Sequence, residues 1–218
     1  MNAISATPGL LSVWNDIDAA DEAEFNAWYQ GEHLGERLAL PGILSARRYA
    51  EIGRPRSYAA IYDTDGLGAL GSPAYLERLA NPTPRTRAIM PRFRNMVRAA
   101  STIAADCGAL RTAGAVLAVL ELAAAPDAAG RRALEANAGA CRVRLAIPDP
   151  GATQVPNPEA KMRSAPDRLP APFVLVEGAD EATVRAAAGK LARVLGAPRP
   201  ARLYALLEAR TREPRRAL

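Results

Sequence analysis

Short apolar runs alternate with amphipathic stretches in a fixed order along this chain. Residues 9–17, GLLSVWNDI, carry a strand pattern. A helix is predicted next, capped by Asp18, with Asp21 and Glu22 in its first turn, where carboxylates suit the positive helix end. It runs to about Leu38, and Pro41-Gly42 stops it. ILSARRYAEI (43–52) and RSYAAIYD (56–63) read as two strands around a Gly53-Arg54-Pro55 turn. Residues 73–80 are helical, Asn81-Pro82 interrupts them, and 84–92 add another turn or two. NMVRAASTIAAD (95–106) closes a β-α-β-β-α-β unit.

Residues 109–218 repeat that order without close sequence identity to 1–108. GAVLAVLELA (114–123) is a strand, Asp127 to Ala138 a helix and CRVRLAI (141–147) a strand. Residues 148–171 are Pro-rich, polar and aperiodic, and are expected to form a long loop. PFVLVEG (172–178), an Ala-rich helix from Glu181 to Leu195 ending at Gly196, and ARLYALLEA (201–209) complete the unit. The tail TREPRRAL is expected to fray. A βαββαβ unit places both helices on one face of a four-stranded antiparallel sheet and leaves the other face to be covered. Two such units in one chain can cover each other. The fold class is therefore α+β: two ferredoxin-like βαββαβ halves, 1–108 and 109–218, closed as one intrachain barrel. The space enclosed between them is the expected ligand site.

Composition narrows the function. The chain has 218 residues, 49% hydrophobic and 23% charged, which is ordinary for a globular protein. No apolar run approaches the ~20 residues of a membrane span. The start lacks a basic segment followed by an apolar one, so no signal peptide and a cytoplasmic location are expected. The net charge of +5 is carried almost wholly by arginine, and Lys161 and Lys190 are the only lysines. Arg, Ala and Pro share GC-rich codons, and the arginines are scattered, so no nucleic-acid partner is implied. Cys107 and Cys141 show no CxxC spacing, and a single histidine precludes a His-rich metal site.

That histidine lies in the most informative segment, from Phe25 to Arg37. At about 100° per residue, Phe25, Trp28, Tyr29, Glu32 and Glu36 share one stripe, with His33 at its edge. Ala27, Gly31, Leu34 and Leu38 make a second apolar side, as in a helix wedged between layers. Histidine is the only side chain type in this segment whose ordinary pKa lies near neutrality. Glu32 and Glu36 can orient it, and both they and the negative helix end favour its protonated form, which suits a proton shuttle. A surface histidine bridging a carboxylate is the plainer alternative.

The runs WYQGEHLGERLALPGILSARRY and YLERLANPTPRTRAIMPRFRNMVR resemble the dimeric α+β barrel superfamily, in particular EthD-like and stress-responsive barrel proteins. The resemblance covers about the first 100 residues. Members typically have half this length and pair two chains into one barrel. Many carry an aromatic residue and then a histidine near the end of the first helix, facing a cleft; Trp28 and His33 match. The superfamily includes cofactor-free monooxygenases, lactone isomerases, polyketide cyclases and haem enzymes. A small-molecule ligand is expected, with no nucleic-acid or membrane partner and no cofactor, and the protein is expected to be haem-free. Homodimerisation of whole barrels stays open.

Around that cleft the sequence places Trp14, Asn15 and Asp16 from the first strand, Arg47, Arg48 and Tyr49 from the second, and Tyr58 and Tyr62 from the third. Strand alternation puts Arg47 and Tyr49 on one face and Arg48 on the other. The expected binding set is Trp14, Trp28, Tyr29, Arg47, Tyr49 and Tyr62, with His33, Glu32 and Glu36 as the acid–base group. Three readings follow: a cofactor-independent enzyme on an aromatic or polyketide-like compound, a non-catalytic ligand-binding protein, or an RNA-binding module. The last rests on the RNP1-like residues Arg56, Tyr58, Ala59 and Ile61. It lacks stacking aromatics at Ala60 and Asp63.

Overall fold

The computed structural model describes residues 7–110, 113–155 and 158–212. Eight strands close into one antiparallel barrel: β1 (Gly9–Ile17), β2 (Ile43–Glu51), β3 (Ser57–Thr64), β4 (Phe93–Gly108), β5 (Val116–Glu121), β6 (Arg142–Pro148), β7 (Phe173–Gly178) and β8 (Arg202–Thr211), in the order β1-β3-β2-β8-β5-β7-β6-β4. The two βαββαβ halves of one chain thus make a single barrel, whose closure leaves no paired-edge liability at either seam.

Both seams use strands longer than the sequence pattern implied. β4 pairs with β1 through Phe93–Thr102 and with β6 through Ser101–Gly108. β8 pairs with β5 through Arg202–Ala205 and with β2 through Tyr204–Thr211. Each of the two strands runs past its own half to pair with the other. Thr211 is therefore in a strand and Arg212 N–H bonds the Leu44 carbonyl, while residues 213–218 of the expected frayed tail lie outside the described residues. Gly108 closes the β4 seam at φ +100°, where a Cβ would stand 1.9 Å from the Cys141 carbonyl oxygen, so only glycine fits.

Helices cover the outside. The first half carries α1 (Glu22–Trp28), a π-turn (Tyr29–His33), α2 (Leu34–Leu38), α3 (Pro73–Ala80) and α4 (Pro84–Ile89). The second carries α5 (Ala128–Ala138), α6 (Pro150–Thr153), α7 (Pro158–Lys161) and α8 (Glu181–Val194). Ser72, Thr83, Asp127, Asp149 and Asp180 accept a backbone N–H at the starts of α3, α4, α5, α6 and α8. Asp18 does not cap α1. It sits in the preceding turn, paired with Arg94 at 2.9 Å, and the helix begins three residues later than the pattern suggested.

Three cores result. One lies between the outer face of β1–β4 and its helices, a second between the outer face of β5–β8 and α5 and α8, and a third fills the barrel. Leu10, Trp14, Tyr49, Ile61, Phe173, Leu175 and Tyr204 pack in the interior. So does a charged group drawn from both halves. Arg144 bridges Asp63 (2.5 Å) and Glu177 (2.8 Å), Arg47 reaches Asp63 (2.9 Å) and Glu177 (3.4 Å), and the Tyr49 hydroxyl donates to Glu177 (2.9 Å). These side chains fill the middle of the barrel, and hollows of about 270 and 330 Å³ lined by both halves remain at its two ends, the first beside Trp14 and Arg202 and the second beside Asp63 and Arg144. Neither face of the first half's sheet is open for stacking nucleic-acid bases.

The expected loop 148–171 is a strap carrying α6 and α7. It leaves the second half and lies on the first. Asp149 N–H bonds the Ala100 carbonyl at 2.8 Å, and the Thr153 hydroxyl accepts from Ala100 N–H at 3.0 Å. The backbones of Arg168, Arg98 and Met96 exchange further bonds of 3.0 and 2.9 Å. These contacts satisfy the edge of β4 before β6 takes over the pairing.

Candidate active site

The site is built where the first helix changes pitch. Tyr29–His33 is a π-turn, with Leu34 N–H reaching back five residues to the Tyr29 carbonyl. The extra residue advances the buried stripe by one position. Up to that point Phe25, Trp28 and Tyr29 face the sheet as the helical spacing predicts; beyond it His33 and Arg37 are buried, and Glu32 and Glu36 are not. Ala27 and Gly31, expected on a second apolar side, are exposed, so the helix buries one face only.

This pitch change separates the side chains expected to act together with His33. Glu32 takes hydrogen bonds from the Thr83 and Thr86 hydroxyls, and Glu36 pairs with Arg78 at 3.2 Å. Neither orients the histidine. Aromatic rings do so instead: the imidazole lies 4.2 Å from the Trp28 ring centroid at an interplanar angle of 34°, and 5.1 Å from Tyr29, edge-on. His33 is 8% exposed, and its Nδ1 has no hydrogen-bond partner among the described residues.

A cavity of about 40 Å³ opens beside it. Leu11 and Val13 of β1, Tyr62 of β3, Met96 and Arg98 of β4, Tyr75 of α3, and Glu159 and Arg163 of the strap complete its walls with Trp28, Tyr29, His33 and Arg37. The cavity thus lies outside the barrel, between sheet and helices, with the strap forming part of its wall. Arg37 is held there bidentately by Glu159 at 2.7 and 2.8 Å, with both side chains buried. Burial works against the Arg37 charge, and Glu159 outweighs it. The Tyr62 hydroxyl is buried without a hydrogen-bond partner among the described residues, and burial raises its pKa well above the usual tyrosine value.

The electrostatics also differ from the sequence expectation. Burial first, then the charges of Arg37, Arg48 and Arg163, hold the imidazole pKa well below its ordinary value of 6.5. Arg48 stacks 4.5–4.9 Å from the Phe25, Tyr29 and Tyr58 rings and bonds Asn26. The imidazole is therefore neutral at pH 7, not protonated. Folding lowers its proton affinity, so below about pH 6.5 the unfolded chain binds more protons and stability falls as pH falls. Between about pH 6.5 and 5 the loss should reach at most ~1.4 kcal/mol per pH unit and should be absent in His33→Gln. Urea unfolding across that range measures it; equal slopes in both proteins would mean the imidazole is not held neutral.

Of the expected binding set, Trp28, Tyr29 and Tyr62 meet His33 at the cavity. Trp14, Arg47 and Tyr49 do not. Their strand register puts them on the opposite, inward face, with Trp14 edge-on to Phe173 at 5.2 Å. The alternation of Arg47 and Tyr49 against Arg48 is as expected, and it places Arg47 and Tyr49 on the face away from the His33 cavity. Arg37, Tyr75, Arg98, Glu159 and Arg163 were not anticipated. Arg37 stands four residues after His33, one helical turn, and that spacing could have flagged it.

Among the described residues no group of three or more His, Cys, Asp or Glu side chains comes together as a metal site. Haem, which the superfamily resemblance admits, does not fit: the cavity is far smaller than a macrocycle, and Trp28 and Tyr29 pack against the His33 ring. Among the described residues no helix is long and apolar enough to cross a membrane.

No protein-family model and no curated protein sequence matches the chain. Solved structures do. A candidate monooxygenase from Fusobacterium nucleatum superposes with a TM-score of 0.59 at 12% identity, covering 95% of this chain and 96% of that one. An anthrone oxidase-like protein gives 0.55 at 11% identity, covering 96% and 95%. A chlorite dismutase variant from Candidatus Nitrospira defluvii, in complex with cyanide, gives 0.51 at 10%, covering 93% and 92%. At such identities the likeness is one of fold: this chain has the fold of the dimeric α+β barrels along nearly its whole length.

Proposed function

We propose that this barrel is a cofactor-independent enzyme in which neutral His33 moves a proton to or from a small aromatic or polyketide-like substrate. The observation that carries the reading is a buried imidazole whose Nδ1 lacks a partner and whose ring lines a cavity. An unpartnered buried acceptor is costly unless a ligand or water completes it. A neutral imidazole can accept a proton from a hydroxyl or an activated C–H, and the surrounding guanidinium charges favour the anion left behind. The same charges disfavour the imidazolium, so the proton is passed on readily. The oxidase-like and monooxygenase-like neighbours of the same fold are compatible with chemistry that begins by removing a proton from such a substrate.

The cavity of about 40 Å³ admits a water or a small functional group, well below the ~300 Å³ or more of a typical ligand pocket. Only the reacting end of a substrate enters it as it stands. Solvent-deuterium exchange tests the proposal directly. A panel of hydroxylated aromatic and 1,3-dicarbonyl compounds is incubated in D2O and followed by NMR. Exchange should be accelerated, should persist below pH 6.5 because the base stays unprotonated, and should be lost in His33→Gln. Exchange that is unaccelerated across the panel, or that survives the substitution, would leave His33 without the role.

A further inference from the structure

A groove of about 630 Å³ lies along the strap, and Arg98 and Arg163 form the wall it shares with the His33 cavity. Its volume is that of a small-molecule site. Val155, Ala165 and Leu169 give it an apolar lining, whereas its charges are Arg98, Lys161, Arg163 and Arg168 against one carboxylate, Asp167. Asp167 is already committed to Arg163 in a two-bond fork of 2.8 and 2.6 Å. Arg98 is the unusual member. It is 4% exposed, and among the described residues its guanidinium bonds only neutral oxygens, the Thr153 carbonyl at 2.9 Å and the Tyr75 hydroxyl at 3.4 Å. A buried guanidinium without a carboxylate is costly, and an anion arriving from the groove offsets that cost.

We propose that Arg98, with Arg163 beside it, binds the carboxylate or enolate of a small organic acid whose apolar body lies in the strap groove. This deepens the reading of His33 as the proton-transfer group, because it places the substrate's anionic end at the wall of the His33 cavity. Arginine suits the task through its fork of fixed donors. The cations at the rim, Lys161 and Arg168, attract the acid, and the apolar strap residues discriminate against small hydrophilic anions.

The chain holds one histidine, so a histidine-labelled sample gives one imidazole signal, located at this site. Benzoate, acetate and inorganic phosphate are titrated into the whole protein at constant pH while that signal is followed. Benzoate should shift it saturably; acetate, lacking an apolar body, should bind at least tenfold more weakly, and phosphate should not saturate. Arg98→Met should weaken benzoate about tenfold or more, the usual effect of losing a hydrogen bond to a charged group. Lys161→Glu and Arg168→Glu alter exposed side chains, spare the fold and should weaken it severalfold. Phosphate binding as well as benzoate, no saturation by benzoate, or equal affinity in all variants would each overturn the assignment. Calorimetry on His33→Gln separates the two proposals. Retained benzoate affinity without deuterium exchange in any protein would keep the anion site and sink the catalytic reading; exchange without benzoate binding would do the reverse.

Discussion

Glu177→Ala should destabilise the protein by about 3–5 kcal/mol, the cost of leaving buried charges uncompensated. Glu177 is 1% exposed and accepts from Tyr49 and Arg144, with Arg47 at 3.4 Å. Removing it leaves two buried guanidiniums to share Asp63. Asp63 already bonds both, but its single charge cannot balance two guanidiniums, although Arg144 and Arg47 overcome its burial and keep its carboxyl ionised far below the ordinary range. In a chain of this size each 1 kcal/mol moves Tm by about 2–4 °C, so the melting temperature should drop by roughly 6–20 °C. Replacing Arg144 and Glu177 together by Met and Leu should cost less than the sum of the single changes, since neither charge is then stranded. A single-variant loss under about 1 kcal/mol in urea unfolding would show that water reaches the cluster and screens it.

The largest effect on activity is expected at His33. Once a compound from the exchange panel is identified, His33→Ala should reduce its rate by about 10²–10⁴, the usual range for a general acid or base. The fold should tolerate the change moderately, because the ring contributes stacking against Trp28 and Tyr29 but no hydrogen bond through Nδ1. Glu36→Gln is the informative companion. The sequence made Glu36 a partner of the histidine, whereas the structure pairs it with Arg78, so this variant should leave the rate within about twofold. A hundredfold loss in Glu36→Gln would restore the carboxylate to the mechanism.

Element order, helix stops and strand alternation were legible in the sequence because they are local properties. GLLSVWNDI and ARLYALLEA announce strands without help from the rest of the chain. Which face of a strand shares a cavity with His33 was not legible. In this barrel both faces of β1, β2 and β3 are buried, so Tyr62 outside and Tyr49 inside look alike to a hydrophobicity pattern. The one-residue slip at Tyr29–His33 was equally invisible to a 3.6-residue period, and it exchanged Glu32 and Glu36 for His33 and Arg37 on the buried face. Glu159 and Arg163 were hidden for a third reason: a Pro-rich, aperiodic stretch reads as a loop, and nothing local says that it lies on the other half.

Because the strap that walls the His33 cavity comes from the second half of the same chain, assembly of the cavity is a unimolecular event. In a barrel made from two separate chains, dilution would pull the halves apart and open such a site by mass action. Here the covalent link holds the strap at an effective concentration set by chain geometry, of the order of millimolar for a short connection. Any activity of this site should therefore stay proportional to protein concentration down to the lowest level an assay can read. The second half is also released from carrying a histidine of its own, and its contribution to the site becomes the wall that Glu159 and Arg163 provide.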